Sequence, residues 1–376
     1  MQDRDEQYYN EGNDFFKLGC YSEAVALFDK AITIKPNVAQ TWFIRGVALY
    51  ELEEYTDAIA SYDKAIAIKP DFANAWHGRG HVLNDIGYYS DAVDAYDKAI
   101  AINPNDPDRW YNRGISLSNI GQYSEAVASY DKVLTLEPGY ADTWHLRGIC
   151  FSKLGQYSDA IASFDQALVI NPDHSEAQQN LGMAYMHLGK YRKAEATFKK
   201  IIKLDPDNVE ARSALANVYL LLQKLGEAEK QLRKAIKIEP DNGSFYADLG
   251  HILSQLKKDD DALNVFLKAL ELEPDIPVRY YNVGDTYLGL GNADKAVLYL
   301  EKASQMAPHD PLYHYDLGLA FFDLGRYEEC AQESKAVVRS DPDMQFGRTN
   351  LGMSATVNCG VAYIHLKKYA EAEECF

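Results

Sequence analysis

Cysteine is scarce in this chain: five in 376 residues, an odd number with no Cys-x-x-Cys pair. That argues against a disulfide framework or a cysteine zinc site, and a reducing, cytoplasmic compartment is the simplest expectation. No apolar run approaches the roughly 18 residues of a membrane span. The first ten residues, polar and acidic, do not read as a secretory signal. Basic charge is also short, with 38 Lys and Arg against 56 Asp and Glu and a net charge of −18. Both signs are scattered and no basic patch forms. Such a surface is repelled by nucleic acid and by anionic lipid, so neither is expected as a partner. Proline is the most telling shortage. Of only 13, ten stand at 36, 70, 104, 138, 172, 206, 240, 274, 308 and 342, each 34 residues after the last.

The remaining three, Pro107, Pro277 and Pro311, each follow a periodic proline by three residues, so the intervals carry no helix breaker. With the periodic proline at position 32, the first repeat begins at residue 5 and the tenth at residue 311. Position 8 is then glycine from Gly12 to Gly318, interrupted only by Ala216. Position 20 is alanine from Ala24 to Ala296, then Cys330. Position 4 is aromatic in seven repeats, as in Trp42, Trp76, Trp110 and Trp144. Position 24 is large from Phe28 to Leu300 and fails at Ser334.

These columns resemble the tetratricopeptide repeat. The resemblance covers residues 5–342 without a gap. It implies an all-α, right-handed α-solenoid, a superhelix of helix-turn-helix repeats: ten contiguous 34-residue repeats over 5–342 and a partial eleventh over 343–376. Small residues at 8 and 20 are expected to face each other where the two helices of a hairpin touch, with large residues at 4, 11 and 24 around them. A glycine such as Gly155 stops the first helix, and the position-32 proline ends the second. One hairpin cannot bury its apolar faces alone, so stacking supplies the core. Beyond Pro342 the best match is Gly360, Tyr363 and Ala372, eight residues late, which predicts a lengthened first helix. Phe376 then falls at position 24, so either a cut chain or a longer natural one is expected. The uncapped last repeat offers a route to end-to-end self-association.

Members of this family usually bind partners on a concave groove formed by first helices at positions 2, 5, 6, 9, 12 and 13. Here position 5 supplies Tyr9, Tyr111, Tyr281 and Tyr315, together with His77, His145 and Gln179. Position 6 supplies Asn10, Asn112, Asn180 and Asn282; position 9 supplies Asn13, His81, Asn217 and His251. Asparagine donates and accepts at once, so it suits an extended peptide backbone, and tyrosine adds rigid area with a polar tip. The chain is therefore expected to be a non-enzymatic scaffold that binds extended or helical protein segments. The competing expectation is the substrate-binding arm of a larger enzyme, such as a glycosyltransferase. The carboxylate clamp of chaperone-binding members finds only single matches, so that ligand is not expected.

His77 and His81, four apart, could hold a metal, with Asn84, Asp85 and His145 in the vicinity, but no third strong ligand is assured. No metal, no cofactor and no catalytic residue is expected: nucleophile elbow, metalloprotease helix and phosphate loop are all missing. Gly289-Leu290-Gly291 has no strand before it and Asn242-Gly243 lies between helices, so neither carries function.

One internal pattern makes a geometric claim. Position 7 is arginine at Arg45, Arg79, Arg113 and Arg147, and position 25 is aspartate at Asp29, Asp63, Asp97, Asp131 and Asp165. Both columns change together from the sixth repeat, to Leu181 and Lys199. The expectation is a ladder in which each aspartate holds the arginine of the following repeat.

Overall fold

The structure, a computed structural model, describes residues 3–340, 345–346 and 349–375. Pro342 and Phe376, which the repeat frame puts at positions 32 and 24, lie outside the described residues. Among the described residues, 22 helices follow one another as pairs. First helices from Ala39–Glu51 to Pro311–Asp323 have 13 residues, and second helices from Tyr21–Ile34 to Tyr327–Ser340 have 14. Local chemistry sets these limits. Asp106, Asn208 and Asp310 cap first helices by accepting a backbone N–H, and Pro107, Pro277 and Pro311 occupy first positions that need no amide partner. Each first helix ends on a left-handed residue. It is usually glycine, as at Gly155 (φ +73°), but Glu53, Gln223 and Lys257 adopt it at φ 58–61°.

The chain forms two compact units, residues 1–193 and 194–376. Within each, a helix packs on its neighbours in sequence, and first helices also touch the next first helix. This is an all-α repeat solenoid, with long-range order built from short-range contacts.

The interior of each hairpin differs from the sequence expectation. Glycine at position 8 faces the ring at position 24, not the alanine at 20. A Cβ on Gly114 would lie 2.6 Å from Tyr130 Cε1, and one on Gly148 2.5 Å from Phe164 Cε1. The glycine is a seat for a ring that is itself fully buried. In the tenth pair Ser334 replaces the ring, and the nearest atom to a Cβ on Gly318 retreats to 3.5 Å.

Between hairpins the expected ladder is present. Arg45, Arg79, Arg113 and Arg147 each donate through Nε to Asp29, Asp63, Asp97 and Asp131, at 2.7, 2.8, 2.6 and 2.7 Å. Nη1 of Arg45, Arg113 and Arg147 also donates to the buried hydroxyls of Ser61, Ser129 and Ser163, at position 23 of their own repeats. Their guanidinium groups lie over Trp42, Trp110 and Trp144. Asp165, opposite Leu181, sits outside the ladder, and burial raises its carboxyl pKa.

The position-4 column has a role the sequence did not disclose. Indole Nε1 of Trp42, Trp76, Trp110 and Trp144 donates to the carbonyl of the preceding position-32 proline, at 2.8 to 3.1 Å. In three repeats where tryptophan is replaced the bond survives: Gln178 donates to Pro172, Arg212 to Pro206, and His314 to Pro308. The column selects a donor that satisfies a helix-terminal carbonyl, aromatic or not.

At the carboxyl end the first helix Leu351–His365 has 15 residues. An antiparallel pairing of Gln345–Phe346 with Thr349–Asn350 precedes it, so helix lengthening absorbs only part of the insertion. Cys359 and Cys375 of this last hairpin pair as a disulfide with Cα atoms 6.1 Å apart. The hairpin brings these residues, 16 apart in sequence, together, as one pair and not as a framework of disulfides.

Candidate functional site

The first-helix residues separate into three kinds of environment. Tyr9 and Tyr111 are half-buried on the rings of Phe28 and Tyr130, with centroids 6.1 and 6.3 Å apart, and each borders a cavity. Asp5, Glu6, Tyr9, Ala31, Lys35 and Val38 line one of about 240 Å³, closed by Gln40 and Thr41 of the next first helix. Pro107, Asp108, Tyr111, Val133, Tyr140 and Asp142 line another of about 210 Å³, closed by Thr143. The two are equivalent. Each sits between successive first helices, with an apolar floor, a position-5 tyrosine and carboxylates at the rim, although in the first Lys35 pairs with Asp5 at 3.2 Å.

The asparagines are largely engaged within the protein. The Asn112 amide donates to His77 Nε2 at 3.0 Å and the Asn180 amide to His145 Nε2 at 2.9 Å, each reaching back one repeat. Asn282 lies 3.5 Å from His251 Nε2 and is buried, as is His145. Asn112 and Asn180 therefore each commit one N–H to a neighbouring ring and keep a second N–H and a carbonyl to offer. Asn10 and Asn217 are exposed, while Asn13, Gln179 and Tyr315 are half-buried. His77 and His81 approach edge-on at 6.5 Å between ring centroids, and His81 Nδ1 lies 3.5 Å from Asp85.

In the second unit position 6 carries carboxylates that the asparagine search passed over, Asp248 and Asp316. Tyr281 donates to Asp316 at 2.8 Å and stacks on Tyr313. Burial pushes the Asp316 carboxyl up to about 6. Asp248 is raised for the same reason. Aligning column 6 for any short polar residue, and not for asparagine alone, would have found both.

Residues 38–244, more than half of the chain, match the profile of the cilia and flagella-associated protein 70 C-terminal domain. Tetratricopeptide-repeat profiles match residues 6–38, 243–276 and 281–344. The chain belongs to the tetratricopeptide-repeat family. No curated protein sequence matches it. The C-terminal part of a tetratricopeptide-repeat protein from Cytophaga hutchinsonii is similar in fold, with a TM-score of 0.57 and 19% identity over 64% of this chain and 99% of that one. The tetratricopeptide-repeat protein YrrB, described as having an unusual peptide-binding site, is 26% identical over 49% of this chain and 95% of its own, with a TM-score of 0.46. Yeast Tom70 aligns with 100% of this chain and 91% of its own at 13% identity and a TM-score of 0.46. No helix among the described residues is long and apolar enough to cross a membrane. The tetratricopeptide-repeat fold itself is consistent with protein–protein interaction.

Proposed function

We propose that this tetratricopeptide-repeat chain is a non-catalytic scaffold that binds extended segments of partner proteins along its first helices, favouring segments with lysine or arginine. The observation that carries this reading is the pair of equivalent cavities at Tyr9 and Tyr111, 102 residues or three repeats apart. An aliphatic stem fits the floor of Val133 and the tyrosine ring, and a cationic head meets Asp108 and Asp142 at the rim. The net charge of −18 attracts the same ligands from a distance. Catalysis is no part of this reading. The buried Cys150 thiol, for one, is pushed up by burial, the opposite of what a nucleophile needs.

Fluorescence anisotropy with two pools of extended peptides, one rich in lysine and arginine and one in aspartate and glutamate, tests it. The basic pool should bind, more weakly at high salt, and Tyr111→Ala with Asp108→Asn should weaken it by about 1–3 kcal/mol while helicity is kept. Equal binding of both pools, or an unchanged affinity in the double variant, refutes the reading.

A further inference from the structure

His145, in helix Ala141–Lys153, meets His174, the cap of helix Ser175–His187, with ring centroids 4.6 Å apart. Both side chains are buried. Phe43 and Phe72 fill the same two repeat positions in the second pair, with centroids 5.1 Å apart. Packing at this place is thus satisfied by plain rings, and two imidazoles bring four nitrogens where none is needed.

Carboxylates gather around them. One nitrogen of each histidine and a carboxylate oxygen of exposed Glu176 lie within 4.8 Å of one another, the one such grouping among the described residues. Glu176 Oε2 is 3.4 Å from His174 Nδ1, and Asp142 Oδ1 is 3.3 Å from His174 Nε2. Nδ1 also accepts the Ala177 N–H at a long 3.4 Å. Nε2 of His174 is buried without a hydrogen-bond partner, a situation that costs about 1–3 kcal/mol unless something binds there. Asn180 holds the ring of His145 through Nε2, and an Asn180 amide turned to offer its carbonyl to an Nε2–H would leave Nδ1 of His145 as the ligating nitrogen.

We propose that His145, His174 and Glu176 bind one divalent transition-metal ion of the zinc class. Imidazole nitrogen with carboxylate oxygen is a donor set for Zn²⁺ and its neighbours, whereas Mg²⁺ and Ca²⁺ take oxygen alone. Ligand atoms about 2 Å from a tetrahedral ion stand about 3.3 Å apart, so the group must contract. Glu176 is the member free to swing inward, being exposed. The ion would tie the fifth first helix to the cap of the sixth. The sequence led to the expectation of no metal, after weighing the spacing of His77 and His81 with His145, because His174 becomes a neighbour of His145 only through the stacking of repeats.

The test uses the full chain, tag-free and stripped with chelator, titrated with Zn²⁺ alone by calorimetry and with Co²⁺ by visible absorption. One Zn²⁺ per chain should bind and raise the thermal midpoint, and Mg²⁺ should not. His174→Gln and Glu176→Gln should each weaken binding by at least about tenfold, and His77→Gln with His81→Gln should leave it unchanged. If His174→Gln does not fold, Glu176→Gln decides, because that side chain is exposed. Failure to bind Zn²⁺ stoichiometrically, or unaltered affinity in Glu176→Gln, overturns the proposal.

Discussion

In the first unit an aspartate on one second helix holds an arginine on the next first helix, and the position-21 residues Ile59, Val93, Val127 and Ile161 are apolar. At the start of the second unit these roles are exchanged. Position 21 becomes Glu195 and Glu229, while position 7 of the seventh repeat becomes the buried Leu215. Glu195 accepts from Lys199 on its own helix at 2.6 Å and from Lys224, ahead of the next second helix, at 2.9 Å. Glu229 repeats this with Arg233 and Lys258, both at 3.0 Å. The bridging carboxylate thus sits at position 25 through the first four interfaces and at position 21 in the sixth and seventh repeats, where its partners are a cation on its own helix and one ahead of the next second helix.

The largest contrast expected comes from the hairpin interior, between the ring-bearing pairs and the tenth pair. Gly148→Ala should destabilise by up to about 3 kcal/mol, because the methyl group overpacks against the Phe164 ring. Gly318→Ala has 3.5 Å of room and should be neutral or stabilise by up to about 1 kcal/mol through helix propensity. Thermal or denaturant melts compare them, and similar losses at both sites would remove the ring-seat explanation.

The next effect is a pH dependence centred on Asp316 in the second unit. The folded Asp316 carboxyl, at about 6, lies above the ordinary aspartate value, so its contribution is fully present below about pH 4 and is lost as pH rises through 6. Asp316→Asn keeps an acceptor for Tyr281 and gives the second unit the amide that the first unit carries at position 6. Stability at pH 7.5 should rise by about 2 kcal/mol, with the change between pH 4 and 7 flattened. A pH profile parallel to the wild type would contradict this. Glu195 works in the opposite direction: the ammonium groups of Lys199 and Lys224 hold it below the usual range, so its contribution is present above about pH 4 and lost below.

Smaller still is the ladder itself, whose aspartates are about half exposed. Arg79 is an internal control, since Ala95 stands where the other arginines find a serine. Arg79→Met should cost about 0–1 kcal/mol and Arg113→Met about 1 kcal/mol more, because Ser129 loses a buried partner. Double-mutant cycles with Asp63→Asn and Asp97→Asn measure the pair terms, which should shrink in high salt. Smallest of all, Lys257→Gly should stabilise by about 0.5–1 kcal/mol, since glycine accepts φ +59° without strain.

The sequence by itself determined the period, the fold and the helix limits, because prolines, caps and left-handed turn residues act within a few residues of themselves. It also carried the Asp–Arg ladder, since 34-residue periodicity puts equal positions in equal places. What it left open were contacts whose register depends on how two helices meet. Only the tertiary structure showed that Gly148 seats Phe164 and not Ala160, that Trp110 and His314 serve one carbonyl-binding role, and that Asn112 and Asn180 are engaged by histidines of the preceding repeat. The His145–His174 pair belongs to the same class: residues 29 apart, one on a helix and one at a cap, become partners when stacking buries both rings on each other.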